Sequence, residues 1–181
     1  MGIKILKTKI KDLLELKLEP FSDKRGKFFN IYRDNDDVFR KIWESRKIAQ
    51  INISRTRSKG IVRGLHYQNQ PYSEAKLIKC IKGLVWDVAV DLRLESKTYG
   101  QWHSIELSED NSNFIFIPEG FAHGFQALKA NSELIYLHSQ NWVKKSEAGI
   151  RFDDPYLNIK WPLKPKCISS RDLSLPYLKN K

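Results

Sequence analysis

The chain alternates short β-type segments with turn chemistry along most of its length, and that rhythm limits its fold more than any other feature. Segments 3–10, 14–18, 27–32, 48–54, 76–82, 84–92, 101–107, 114–117, 124–128 and 133–139 are rich in β-branched and aromatic residues, either alternating with polar ones or running continuously. Between them stand Ser22-Asp23-Lys24-Arg25-Gly26, Arg57-Ser58-Lys59-Gly60, Lys82-Gly83, Tyr99-Gly100 and Pro118-Glu119-Gly120, which carry the residues of tight turns. Asp34–Lys47 alone reads as helical, with Asp34 or Asp36 as cap and Val38, Ile42 and Trp43 at helical spacing. An all-β domain of sandwich or jelly-roll type is expected. No linker, composition break or repeat divides the 181 residues, so 1–181 is expected to be one domain, large enough to bury a core without disulfides. The tail from Arg151, with Pro155, Pro162, Pro165 and Pro176, is expected to pack as irregular structure and a terminal element.

Lys plus Arg number 32 against 21 Asp plus Glu, a net charge of +11 that would suit a polyanionic ligand. The basic residues are scattered, and neither zinc-finger spacing nor an RNA-recognition signature nor a long basic helix is present, so nucleic-acid binding is set aside. A few arginines remain available for an anionic substrate. Cys80 and Cys167 have no CxxC spacing and read as reduced, buried small side chains of a cytoplasmic protein. The N-terminus alternates apolar and polar residues, unlike a signal peptide, and Leu6 occupies the position where myristoylation prefers Ser or Thr. No apolar run approaches the roughly eighteen residues of a membrane span. A soluble, cytoplasmic protein without membrane association is expected.

The chemistry concentrates in Ile61-Val62-Arg63-Gly64-Leu65-His66-Tyr67-Gln68 and Pro118-Glu119-Gly120-Phe121-Ala122-His123-Gly124-Phe125. In each, a histidine and glycines punctuate an apolar β-type run, which can carry imidazoles to the inside of a barrel. Gly64 allows close backbone approach beside His66. The chain has four histidines. His103 belongs to a polar strand and reads as surface; His138 shares a strand face with Tyr136 and reads as site wall or structural hydrogen bonder, the latter favoured. Tyr136 can point into a barrel or belong to its core. Asp87 alternates with Val85 and Ala89 in an otherwise apolar strand, so it needs a partner, with His66, an arginine or a backbone group as candidates. The Pro-x-Gly-x-x-His pattern ending at His123 often supplies a metal ligand in cupins, but His66-Tyr67-Gln68 with Glu74 lacks a histidine of the usual set, so a metal site is disfavoured.

These segments together resemble the dTDP-4-dehydrorhamnose 3,5-epimerase family. The likeness runs from Phe21-Ser22-Asp23-Lys24-Arg25-Gly26-Lys27-Phe28-Phe29 through the two histidine segments, Trp86-Asp87-Val88-Ala89-Val90-Asp91 and Tyr99-Gly100-Gln101-Trp102 to Trp161-Pro162 and Asp172. It implies a cupin-type jelly-roll β-barrel with one or two short peripheral helices. It also implies a cofactor-independent isomerase that inverts carbons 3 and 5 of a nucleotide-diphosphate 4-keto-6-deoxy sugar, without metal. Carried over by position, His66 matches the base, Asp172 the carboxylate orienting it, Tyr136 the acid on the opposite face and Lys76 the group at the ketone oxygen. Arg25 and Arg63 match diphosphate-binding arginines, with His123 beside them; Gln50, Asn52 and Phe28 line the sugar and base pocket; Trp142 stands for a tyrosine stacked on the base. The segment around Arg25 crosses to a partner subunit in the family, so a homodimer is implied.

The chain departs from the family where Gln50-Ile51-Asn52-Ile53-Ser54 replaces Gln-Asp-Asn-His-Ser, where Asn30 replaces an acid, and at Trp142. These positions concern base and sugar rather than the reaction, leaving GDP- or CDP-linked substrates, a 4-keto heptose, or inversion of a single centre as alternatives. The rival classes are a metal-dependent cupin enzyme using His66, Gln68, Glu74 and His123, and a non-catalytic sugar- or nucleotide-binding cupin.

Overall fold

The computed structural model describes residues 2–178; Met1 and residues 179–181 lie outside the described residues. Two antiparallel sheets face one another. The six-stranded sheet has the order β1 (Ile3–Lys7), β2 (Leu14–Leu18), β10 (Asn113–Ile117), β7 (Lys76–Lys82), β12 (Ser132–His138), β5 (Gln50–Thr56). The five-stranded sheet runs β13 (Glu147–Gly149), β6 (Val62–Gln68), β11 (Phe121–Ala127), β8 (Leu84–Asp91), β9 (Trp102–Ser108). A hairpin of β3 (Phe21–Asp23) and β4 (Gly26–Phe28) stands apart, and α1 (Asp37–Trp43) and α2 (Ser170–Leu173) are the helices. This is the cupin-type jelly roll expected, with two short peripheral helices.

Three apolar clusters explain why β7, β8, β10 and β11 read as continuous rather than alternating runs. Ile78, Cys80, Val85, Ala89, Leu107, Ile115, Phe125 and Leu134 fill the space between the sheets. Leu16, Leu77, Phe114, Phe116 and Leu137 cover the outside of the six-stranded sheet, where Phe39, Ile42 and Trp43 of α1 pack on them. Leu65, Val88, Val90 and Ala122 cover the outside of the other, under Ile150, Leu157, Ile159 and Trp161 of the C-terminal tail. Strands buried on both faces lose the period-2 signal.

Boundaries differ from the sequence expectation for local reasons. The first strand stops at Lys7, because Thr8 Oγ1 donates to the Ile10 and Leu13 carbonyls and accepts from the Ile10 amide, closing a turn. The helix spans 37–43 rather than 34–47: Asp36 is the N-cap, accepting from the Val38 amide, and Glu44 turns the chain out at φ +54°. After Phe28 the expected strand gives way to irregular chain, with Phe29, Ile31 and Tyr32 packed against the α1 cluster. Cys80 is buried as expected, but Cys167 is exposed.

At Gly64 the sheets' geometry requires glycine. Its φ is +110°, and a Cβ there would stand 2.6 Å from the His123 carbonyl oxygen and 2.7 Å from Gly124 Cα. The missing side chain lets β6 lie against β11 so that His66 and His123 become register partners.

Candidate active site

A cavity of about 900 Å³ opens between the two sheets, and each sheet contributes its own chemistry. From the five-stranded sheet come His66 and His123; from the six-stranded sheet come Asn52, Lys76, Tyr136 and His138. Pairing of β12 with β5 and β7 sets Gln50, His138 and Lys76 in one cross-strand row, and Asn52, Tyr136 and Ile78 in the next.

His66 Nε2 lies 2.7 Å from Asp172 Oδ1, across 106 residues of sequence. Ser169 caps the short helix α2 by accepting from the Asp172 amide, and the Gly64 amide donates to the other carboxylate oxygen at 3.4 Å. Burial alone would raise the Asp172 carboxyl, but the His66 bond and charge, the Gly64 amide and Ser169 outweigh it and hold it below the usual carboxylate range. An ionised carboxylate accepts only, so it claims the Nε2 proton and leaves His66 Nδ1 with a lone pair.

Across the cavity, the Tyr136 hydroxyl lies 3.3 Å from Ser54 Oγ. Burial pushes its pKa far up and the Asp87 carboxylate adds to this, against smaller opposing effects of Ser54 and Arg63, so the phenol keeps its proton at neutral pH. His123 and His138 flank its ring, the first edge-on and the second nearly parallel, at centroid distances of 5.9 and 5.8 Å. Lys76 Nζ donates to Glu74 Oε1 at 3.0 Å.

Asp87 finds its partner in His123, whose Nε2 donates to Oδ2 at 2.9 Å, and not in His66 or an arginine. His138, favoured as structural, lines the cavity and is bonded as well. His103, read as surface, is half-buried beside Glu15 at 2.6 Å. Arg63 is held by Thr56 Oγ1 and the Arg55 carbonyl rather than by a carboxylate, leaving its charge for a ligand. Gln50 and Trp142 lie together on the rim, the Trp142 amide donating to Gln50 Oε1. Arg25 and Phe28 are not brought here: they lie on the β3–β4 hairpin, where Arg25 pairs with Asp23. Residues that sequence reasoning passed over also line the cavity, namely Ser54, Glu147, Cys167, Ser169 and Arg171. Arg171 adjoins Asp172, the one signal that could have marked it.

Among the described residues no group of three His, Cys, Asp or Glu side chains is arranged to hold a metal ion. Gln68, a ligand in the metal-dependent alternative, spends its amide on the Tyr72 and Asn141 carbonyls and the Val143 amide.

A jelly roll whose cavity carries an imidazole–carboxylate pair on one sheet and a phenol and a lysine on the other holds the acid and base groups that proton transfer requires. The model of the dTDP-4-dehydrorhamnose 3,5-epimerase family matches residues 7–180, and the chain belongs to that family of isomerases acting on nucleotide sugars. It is 39% identical over 171 residues to the dTDP-4-dehydrorhamnose 3,5-epimerase of Shigella flexneri, covering 94% of this chain and 93% of that protein. Among solved structures it resembles the dTDP-6-deoxy-D-glucose-3,5-epimerase of Legionella pneumophila, in complex with dTDP-4-keto-L-rhamnose, with TM-score 0.89, 34% identity, and 99% and 100% of the two chains covered. It also resembles a 3'-monoepimerase from Streptomyces bikiniensis in complex with dTDP-quinovose, with TM-score 0.85, 28% identity, and 94% and 85% covered. No helix among the described residues is long and apolar enough to cross a membrane.

Proposed function

We propose that the chain is a cofactor-independent 3,5-epimerase of a dTDP-linked 4-keto-6-deoxy hexose. The observation that carries this is the 2.7 Å His66–Asp172 bond on one wall of a cavity whose opposite wall holds Tyr136 and Lys76. Hydrogens on the carbons flanking a ketone can leave as protons because the electron pair moves onto oxygen. His66 Nδ1 accepts the proton, Asp172 holds the tautomer and stabilises the imidazolium, and Lys76 faces the enolate oxygen. A donor of that kind contributes about 3 kcal/mol to the barrier. Tyr136, kept protonated, returns a proton to the opposite face, which inverts the centre. Each inversion leaves a proton on His66 and a phenolate at Tyr136, and exchange with solvent resets both; no redox change is involved, so no step calls for a cofactor.

Arg63 and His123 are assigned to the diphosphate, Gln50, Asn52 and Trp142 to sugar and base. Arg25 and Phe28 are assigned to the same site from the hairpin of a second copy, making the working unit a homodimer. A dTDP substrate is favoured over GDP- or CDP-linked sugars by the named relatives. Inversion of one centre alone is the second reading, favoured by the likeness to a monoepimerase.

Incubation with dTDP-4-keto-6-deoxyglucose in heavy water tests both. Deuterium is expected at carbons 3 and 5, at one of them for the second reading, and at neither if the proposal is wrong. His66→Asn should abolish exchange, whereas Tyr136→Phe should retain part of it and lose inversion. Complete loss in both variants would contradict the assignment of His66 as the base.

A further inference from the structure

The wall bearing Tyr136 contains an imidazole–carboxylate pair of its own that the chemistry above leaves unused. Glu74, just before β7, has both oxygens engaged: Lys76 Nζ donates to Oε1 and His138 Nδ1 to Oε2, each at 3.0 Å. All three side chains are at most 10% exposed. The direction of the bonds behind them is set by one group that can only donate. The Trp142 backbone amide donates to Gln50 Oε1 at 2.9 Å, so Gln50 Nε2 is the donor to Asn52 Oδ1, also at 2.9 Å. Asn52 Nδ2 then donates to His138 Nε2 at 3.3 Å, which leaves the ring proton on Nδ1, directed at Glu74.

A lysine ammonium on four methylenes has no orientation of its own, and its position comes from its acceptors. Glu74 supplies that acceptor as an anion: burial would raise its pKa, but the His138 bond and the Lys76 charge outweigh burial and hold it below the ordinary range. We infer that Glu74 and His138 are positioning residues, Glu74 fixing the Lys76 ammonium in the cavity and His138 preventing the carboxylate from turning away. The inference rests on Lys76 acting at the ketone oxygen. Glu74→Gln preserves shape but not bonding. With its oxygen toward Lys76, its amide nitrogen meets the His138 Nδ1 proton; if that proton moves to Nε2, it meets Asn52 Nδ2.

The test is heavy-water exchange with dTDP-4-keto-6-deoxyglucose. E74Q is expected to lower kcat about 10- to 100-fold, the scale of a misplaced rather than deleted group, with KM changed less than about threefold. In a Lys76→Met background the same change should cost less than about twofold, because it acts through Lys76. His138→Leu should resemble E74Q, and His138→Asn, whose amide can replace Nδ1 as donor, should recover most of the loss. Unimpaired kcat in E74Q, a rise in KM alone, or an equal loss in the Lys76→Met background would overturn the inference. If E74Q does not fold, the His138 pair decides alone: equal losses in His138→Leu and His138→Asn refute it. Active wild type with an unimpaired variant sinks this inference alone; wild type without exchange sinks the epimerase reading and this with it.

Discussion

Asp172 is the residue whose meaning changes most between sequence and structure. In Ile168-Ser169-Ser170-Arg171-Asp172 it is an ordinary loop carboxylate, and only the fold carries it 106 positions back to His66. Its partnership makes a pH prediction with a definite sign. A carboxyl lowered on folding contributes stability in full above its unfolded pKa, near 4, and loses it as pH falls through that value toward the folded one. Wild type should therefore be more stable than Asp172→Asn near neutrality, with the advantage shrinking as pH falls below about 4, measured as urea midpoints across pH. A gap unchanged over that range would contradict the assignment, and activity at neutral pH should fall about 10³- to 10⁴-fold through loss of the base tautomer. His66 and Tyr136 could be marked from the residues as candidates pointing into a barrel, whereas Lys76 and the pairing of the three came through the family likeness, since a single histidine or tyrosine on a strand does not reveal which residues stand opposite. The bonds of His138 were hidden for the same reason: Asn52 and Glu74 lie on two other segments of the chain.

Elements were easier to read than contacts. Strands 14–18 and 76–82 appear where the pattern put them, because Leu14, Leu16 and Leu18 alternate with charged residues and Leu77, Ile78, Cys80 and Ile81 form an apolar run closed by Gly83. The helix was overextended because Glu44 at positive φ gives no sequence signal. β3 and β13 are too short for periodicity to detect. The close approach of β6 to β11 was foreshadowed by Gly64 and can be tested there. Gly64→Ala should cost about 2–4 kcal/mol, combining backbone strain with overpacking against β11. Gly26, at φ +131° with open space around its Cβ position, should cost only about 1 kcal/mol when replaced by Ala. Equal urea midpoints for the two variants would remove the steric half of this account.

At the scale of the whole molecule, the proposed homodimer gives a role to the hairpin and to an open sheet edge. β5 pairs with β12 alone, and Ile51, Ile53, Phe21 and Phe28 are each more than half exposed. If Arg25 acts across a two-fold interface, an Arg25→Ala subunit and a His66→Asn subunit each lack a different half of the site. Refolded together at equal amounts and assayed below KM, they should restore about a quarter of wild-type activity, since half the dimers are mixed and each has one intact site. Absence of rescue, or a monomer in solution, would return Arg25 to the surface. Within one copy His66 rides on one sheet and Tyr136 and Lys76 on the other. The side chains packed between them, such as Ile78, Val85 and Leu134, thus act as spacers. Under the proposed mechanism, the handedness of the product is in this sense gauged by the thickness of the sandwich, a dimension set by hydrocarbon outside the cavity.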